Sequence, residues 1–480
     1  MLIRPSRSGF DRLRVRADPP RIAPFSRAGE WSILTTMRLD STAVCAALLA
    51  AAVGAGCTEA PRPNVLLVTI DTLRADHLEP YGYARPTSPA LAEFAAGATV
   101  FEAAQSQSSW TLPALASLMT GLYPSTHQAV SFRARLESSF TTLAEELRNA
   151  GYETAAVANH MFLGRSYGLD QGFTHFDDEL VRHPETQLHL TVTSPRVAEK
   201  AVTWLEQRAA AGEGRPWFLW THFFDPHNEY LAHDDVASMA GADGSDPDID
   251  LYDEEIAFTD RGVGRILARL EELGLAEDTV VVVTSDHGEA FGEHGRTHHS
   301  DSLYQELLHV PLLVRVPGAT PRRVAEPVQT CDVVPTVLEC ASVASSESLA
   351  GTSLLPLVRG TRDPEREVLS EVRAPEYVPG PELVKLEQVS EIASLTVGRY
   401  KLIHQVPSER TELYDLEADP LERVDVAAEH PELVGALRRK LRAKVDAAAD
   451  YGRSFSRTAE RTESAAELDG LEALGYVERR

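Results

Sequence analysis

The sequence predicts an α/β protein, with a large, mainly parallel sheet flanked by helices and then a smaller C-terminal α+β lobe. Three observations lead there. Continuous apolar runs end abruptly in acidic residues, as buried parallel strands do at their carboxyl ends. Segments of helical period separate those runs. After about residue 360 the strand-like runs become shorter and a charged helix follows them.

In chain order, "NVLLVTIDT" (64–72) reads as the first buried strand, with Asp71 emerging at its end. Helical patterns follow at 88–96, 141–150, 196–211 and 252–273, alternating with apolar runs at 155–158 and 216–222. "DTVVVVTSDHGE" (278–289) repeats the first design and delivers Asp286 and His287. In such sheets, ligands bind beyond the carboxyl ends of the strands, so two acids at two strand ends suggest one site. "HVPLLVRVPG" adds a further buried strand, and a short helix begins at Asp332. These elements define a catalytic domain over residues 63–360. "REVLSEV", "IASLTVGRYKLIHQ" and "TELYDL" then read as the small sheet of a lobe and tail over 361–480, with a helix at 431–448. The acidic, glycine-bearing stretch 232–250 lacks apolar periodicity and is expected to be a mobile loop, either simply solvated or a lid.

With 480 residues, 43% of them hydrophobic, the chain can bury a large core, which excludes a disordered chain. The formal charge of −26 makes nucleic acid a poor partner. At the N-terminus, "MRLDSTAVCAALLAAAVGAGC" (37–57) has a charged start, an apolar run and small residues before Cys57, the layout of a bacterial signal peptide. Gly54, Ala55 and Gly56 resemble a lipoprotein cleavage box, so Cys57 is a candidate lipid anchor, with ordinary cleavage as the alternative. Export to the periplasm or cell envelope is expected. Residues 1–36, rich in Arg and Pro, are read as an upstream extension foreign to the fold. Cys331 and Cys340 bracket one helix and would stand about 13 Å apart, too far to pair.

An acid after each of two strands, with a histidine directly after the second, is a ligand set suited to a divalent cation. Taken singly, Asp71 and Asp286 also suit helix caps or turns; taken together they favour metal. Thr111, two residues before Pro113, stands at a helix start beside free N–H groups, as a cap or as a metal-activated nucleophile. Ser108 and Ser109 rank below it, and Ser117 is expected to bond its own helix backbone. "WTHFFDPHNEY" places His222, Asp225 and His227 at a strand end, and "GEHGRTHHSDS" supplies His294, His298 and His299 close to Asp286.

These blocks, namely "NVLLVTIDTLRADHL", "YGYARPTSPALAEFA", "LPALASLMTGLYP", "DPHNEY", "TSDHGEAFGEHG" and "VPLLVRVPG", resemble in order those of the sulfatases of the alkaline phosphatase superfamily. "RYKLIH" and "ELYDLEADPLERVDVA" resemble the C-terminal lobe of that family. The usual sulfatase carries Cys or Ser, any residue, Pro, Ser and Arg, with the first residue oxidised to formylglycine. The aligned residues here are Thr111, Leu112, Pro113, Ala114 and Leu115. A secondary alcohol can yield only a ketone, so no formylglycine is expected. Relatives with a metal-bound threonine at this position cleave or transfer phosphate through a phosphothreonine, so the resemblance implies phosphate or phosphonate ester chemistry, with sulfate ester hydrolysis, group transfer or mere binding as alternatives. It further implies Asp71, Thr111, Asp286 and His287 as metal ligands, Thr111 as nucleophile, and His227 and His298 as substrate contacts, with His298 protonating the leaving oxygen. Usual sulfatases present two adjacent Asp and a later Asp-Asn pair to calcium. Asp71-Thr72 and Asp286-His287 stand there instead, and histidine favours zinc or manganese, with calcium as the alternative. The substrate class is an anionic ester of a small molecule, glycan or lipid headgroup. Arg74 and Asp76 match the first block and are read as a loop-fixing salt bridge.

Overall fold

A computed structural model describes residues 62–182, 192–375 and 389–458, apart from residues 213, 235, 240, 242–245 and 407. The upstream extension, the signal segment with Cys57 and the final tail lie outside the described residues. The catalytic part opens with β1 (Asn64–Ile70), α1 (Pro89–Ala96), β2 (Thr99–Phe101), α2 (Thr111–Thr120), α3 (Leu143–Asn149) and β3 (Glu153–Val157). It continues with β4 (His175–Asp177), α4 (Ser194–Ala211), β5 (Trp217–Phe223), α5 (Pro247–Glu272), β6 (Thr279–Ser285), β7 (Leu312–Arg315), β8 (Arg322–Val324) and α6 (Val333–Cys340). The C-terminal lobe holds β9 (Glu367–Pro375), β10 (Val389–Val397), β11 (Tyr400–Val406), β12 (Thr411–Asp415) and α7 (Pro431–Gly452).

The eight strands of the large sheet lie in the order β8, β2, β7, β6, β1, β5, β3, β4. The expected parallel arrangement holds except at β7, which pairs antiparallel with both β6 and β2. The spine is β1, buried on both faces: Val65 and Leu67 enter one core, and Leu66, Val68 and Ile70 enter the other. A strand with no polar face must lie between two helical layers. Accordingly α1, α4 and α5 cover one side, while α2, α3 and α6 cover the other.

Register decides where the site lies. Ile70 pairs with Phe223 on one side and with Ser285 on the other, so β1, β5 and β6 end level. Asp71 and Asp286, each one residue beyond a paired position, therefore leave the sheet side by side.

The four strands of the C-terminal sheet are antiparallel in sequence order, and α7 packs Leu437 and Leu441 against Leu369, Leu395, Leu402 and Leu413. This lobe grips the approach to α2. Glu371 N–H donates to Gln107 O at 2.8 Å, Ser370 Oγ to Ser106 O at 2.5 Å, and Thr396 Oγ1 to Gln105 Oε1 at 3.1 Å.

Local expectations are met unevenly. Cys331 and Cys340 are unpaired with each other, and Arg74 bridges Asp76 at 2.8 Å while also reaching Glu293 at 2.7 Å. Ser117 bonds His127 Nε2 at 3.0 Å rather than its own helix, because α2 is buried on every side and a partner lies across the turn. In the stretch expected to be a mobile loop, Val236 and Met239 are buried beside Ala257, and Met239 N–H donates to Glu254 Oε1 at 2.9 Å.

Candidate active site

The chain beyond β1 turns through Thr72, whose φ of +51° is a left-handed conformation that costs a non-glycine residue about 1–2 kcal/mol. The turn aims the Thr72 N–H at Asp286 Oδ1, 3.3 Å away, and Tyr252 locks it by donating its hydroxyl to Thr72 O at 2.7 Å. Asp286 Oδ1 also accepts the His287 N–H at 2.9 Å. That occupies one oxygen of Asp286 and leaves Oδ2 buried without a hydrogen-bond partner, as is Asp71 Oδ1.

His287 Nε2 lies 3.6 Å from Asp71 Oδ1 and 3.5 Å from Asp286 Oδ2, and Thr111 Oγ1 lies 3.3 Å from the same nitrogen. Asp71, Asp286 and His287 present donor atoms all within 4.8 Å of one another, and neighbouring ligands on one small cation stand about 3–3.5 Å apart. The His287 Nδ1–H donates to Gly288 O at 2.9 Å, so the lone pair sits on Nε2, facing the carboxylates. Thr111 is the first residue of α2, fully buried, with Trp110 as N-cap. Orphaned buried carboxylate oxygens and an imidazole lone pair therefore converge, with a hydroxyl beside the imidazole, and this set fits a divalent cation.

The electrostatics agree. Burial, with Asp286 and Glu289 nearby, raises Asp71 well above the usual carboxylate range, and burial pushes Asp286 up to about 6. Burial likewise drives His287 down to about 3. A bound cation would stabilise both carboxylates in the ionised form that burial disfavours, and it would take the neutral imidazole that burial already favours.

Around this centre the sequence-identified residues fall differently. His227 is buried; its Nδ1–H donates to Asn228 O at 2.7 Å, leaving Nε2 as an unpartnered acceptor. Asp225 faces away from the centre and accepts the Thr193 and Ser194 N–H groups at the start of α4. His298 lies exposed at the rim, with Nδ1 3.2 Å from the Asn228 amide. Its neighbour His299 is half-buried as a residue but its side chain is only 6% exposed, with ring centroids 4.6 Å from His287 and 5.0 Å from His227. The His299 Nδ1 lies 3.1 Å from Glu289 Oε1, a fully buried carboxylate that burial holds above its usual range. Ser108 and Ser109 are buried with unpartnered hydroxyls, and Ser300 N–H donates to Ser109 O at 2.9 Å, tying the histidine loop to the residues before Thr111.

His299, Glu289, His160 and His222 also converge here. His160 follows β3 as Asp71 follows β1, so its place just beyond an apolar run was a usable signal. In "THHSD" only side-chain phase separates the two histidines, and that phase depends on the pairing of His298 with Ala290.

Residues 63–343 match the sulfatase family, and residues 292–448 match the family of the N-sulphoglucosamine sulphohydrolase C-terminal region. A choline-sulfatase of Rhizobium meliloti (strain 1021) is 26% identical over 440 residues, covering 76% of this chain and 82% of its own. Among solved structures, the phosphonate monoester hydrolase of Agrobacterium radiobacter superposes with a TM-score of 0.67 at 21% identity, covering 80% of this chain and 96% of that one. A 2-O GAG sulfatase does so with 0.66 at 22% identity, covering 83% and 95%. With more than half its length matched, and with the family's sheet carrying an acid-rich centre at its carboxyl edge, this chain belongs to the sulfatase family.

Proposed function

We propose that the protein is a metal-dependent ester hydrolase in which Thr111 is the nucleophile, with phosphate or phosphonate esters favoured over sulfate esters. One observation carries the reading: a threonine hydroxyl, rather than an oxidisable cysteine or serine, stands 3.3 Å from His287 Nε2 at the start of α2. Asp71, Asp286 and His287 would hold the cation, with Thr111 at its edge, and imidazole among the donors favours zinc or manganese over calcium. Bound there, the ion would lower the pKa of a nearby hydroxyl and neutralise an anionic ester.

Thr111 Oγ attacks phosphorus, the ester oxygen departs and a phosphothreonine remains. His227 and His299, both held neutral by burial, can take up the threonine proton and return it to the departing oxygen. His298, the proton donor that the family resemblance implies, stands exposed at the rim 3.2 Å from the Asn228 amide. It is therefore kept as a contact for the departing group, and the proton transfer falls to the enclosed rings. Water then attacks phosphorus and the bond to Thr111 Oγ breaks; His299, its ring steadied by Glu289, accepts the water proton and passes it to the departing Thr111 oxygen, which restores the hydroxyl. A sulfated threonine lacks the easy elimination route of a formylglycine hydrate, which is why sulfate esters rank lower. The ester is taken to belong to a small molecule, glycan or lipid headgroup.

The test compares an aryl sulfate, a phosphate monoester, a phosphate diester and a phosphonate ester with zinc, manganese or calcium, in the wild type and Thr111→Ala. Phosphoryl turnover lost in Thr111→Ala supports the reading; dominant sulfate release, as the choline-sulfatase relative would suggest, overturns the preference. Export through residues 37–57, with lipidation at Cys57, belongs to the same proposal. Fatty-acid labelling of the wild type but not of Cys57→Ala would support it, and absence of label would refute the anchor.

A further inference from the structure

The two oxygens of Asp71 have unlike surroundings. Oδ1 lacks a hydrogen-bond partner and faces His287. Oδ2 faces two imidazoles outside the ligand set, His222 Nε2 within hydrogen-bond reach at 3.3 Å and His160 Nε2, which has no hydrogen-bond partner, beyond it at 3.8 Å. All three side chains are fully buried.

The far side of each ring reveals where its proton lies. His160 Nδ1 accepts the Phe162 N–H at 3.0 Å, so the neutral ring carries its proton on Nε2. For His222, Thr69 Oγ1 stands 2.8 Å from Nδ1 and itself accepts Trp220 Nε1–H at 2.9 Å. The proton of Thr69 has two acceptors within reach, His222 Nδ1 at 2.8 Å and Thr221 O at 3.3 Å, and the shorter contact directs it to the imidazole. With the Thr69 proton assigned to that contact, His222 carries its own on Nε2, toward Asp71 Oδ2.

Rings that ligate a cation present a lone pair, whereas these two, so protonated, turn N–H groups toward the carboxylate, His222 within hydrogen-bond reach and His160 short of it. The relay owes its alignment to sheet register: Thr69 pairs with His222 and Leu67 with Trp220, so the side chains at 69, 220 and 222 share one face of β1 and β5.

We propose that His222, through a hydrogen bond, and His160, through the attraction of its N–H across 3.8 Å, are positioning residues that hold Asp71 by Oδ2 and keep Oδ1 turned toward the cation, with Trp220 and Thr69 setting the proton on His222. Neutral donors are suited to this role, since an arginine there would cancel the charge that attracts the ion, whereas an imidazole N–H orients the carboxylate and leaves its charge intact. The proposal rests on the metal reading above.

Its test is calorimetric titration of the metal-free protein with Mn²⁺, without substrate, for the wild type, Thr69→Val, and the Asn and Gln variants of His160 and His222. A glutamine amide reaches the Nε2 position and can donate there, whereas an asparagine stops at Nδ1. Thr69→Val and the Asn variants are expected to bind about 10–100-fold more weakly, with Gln recovering most of the loss. Affinities within twofold of wild type in Thr69→Val and both Asn variants would overturn the proposal while leaving the metal reading standing. Failure of the wild type itself to bind Mn²⁺ would overturn both. Should an Asn variant fail to fold, Thr69→Val decides, because it alters neither imidazole nor the carboxylate.

Discussion

Two buried aspartates, Asp71 at the sheet edge and Asp332 at the seam with the C-terminal lobe, are equally hidden from water and differently treated. Asp332 accepts the Arg366 guanidinium at 2.5 Å, the Thr352 N–H at 2.7 Å and the Gln329 N–H at 3.1 Å, so both oxygens are occupied. Asp71 keeps one oxygen bare and has Asp286 and Glu289 for neighbours. A satisfied buried charge joins parts of a structure, whereas a bare one beside like charges awaits a ligand.

The contrast can be broken at either end. The largest effect is expected from Asp71→Asn and Asp286→Asn, each lowering turnover by about a thousandfold or more, with Mn²⁺ binding lost. The metal-free variants should melt no lower than the wild type, because a poorly solvated charge has been removed; a fall of several degrees would contradict the comparison. Asp332→Asn should do the reverse, destabilising by about 3–5 kcal/mol in denaturant titration while leaving kcat per folded molecule unchanged.

A third test uses pH. Asp286 is raised to about 6 in the folded metal-free protein, so its contribution to stability is present below its unfolded pKa near 4 and is lost as pH rises through 6. The buried histidines lowered to about 3 act oppositely, losing stability as pH falls, so the informative quantity is a difference. Asp286→Asn should gain on the wild type by about 2–3 kcal/mol between pH 4 and pH 7, and saturating Mn²⁺ should reverse its advantage by stabilising the wild type alone. A pH-independent difference would mean that Asp286 ionises freely. The smallest effect is expected from His294→Ala, which severs contacts to Glu306 at 2.8 Å and to Glu422 O at 3.0 Å and should cost about 1 kcal/mol in stability.

The sequence made the frame of this site legible because an unbroken apolar run that ends in an acid seldom arises except at the carboxyl end of a buried strand. It disclosed Asp71, Asp286, His287 and Thr111 as neighbours in chemistry before they were neighbours in space. The antiparallel course of β7 was hidden, since "VPLLVRV" is equally apolar in either direction. The choice between His298 and His299 depends on a hairpin register that no local pattern fixes. The link from Trp220 through Thr69 to His222 crosses two strands separated by about 150 residues, and only their pairing reveals it. Ser117 misled because its partner, His127, lies beyond a turn rather than along the helix.

Glu422, in the C-terminal lobe, receives the Gln305 N–H at 2.7 Å, lies 2.9 Å from the buried Lys401 ammonium and offers its carbonyl to His294. The loop that delivers His298 and His299 is thus anchored at both flanks to the C-terminal lobe. The two family matches overlap over residues 292–343, where this ownership is shared. A chimera joined near residue 360 would keep the acids and the threonine but lose the Glu422 contacts that hold the histidine loop, so a graft is expected to need Lys401 and Glu422 carried along with it.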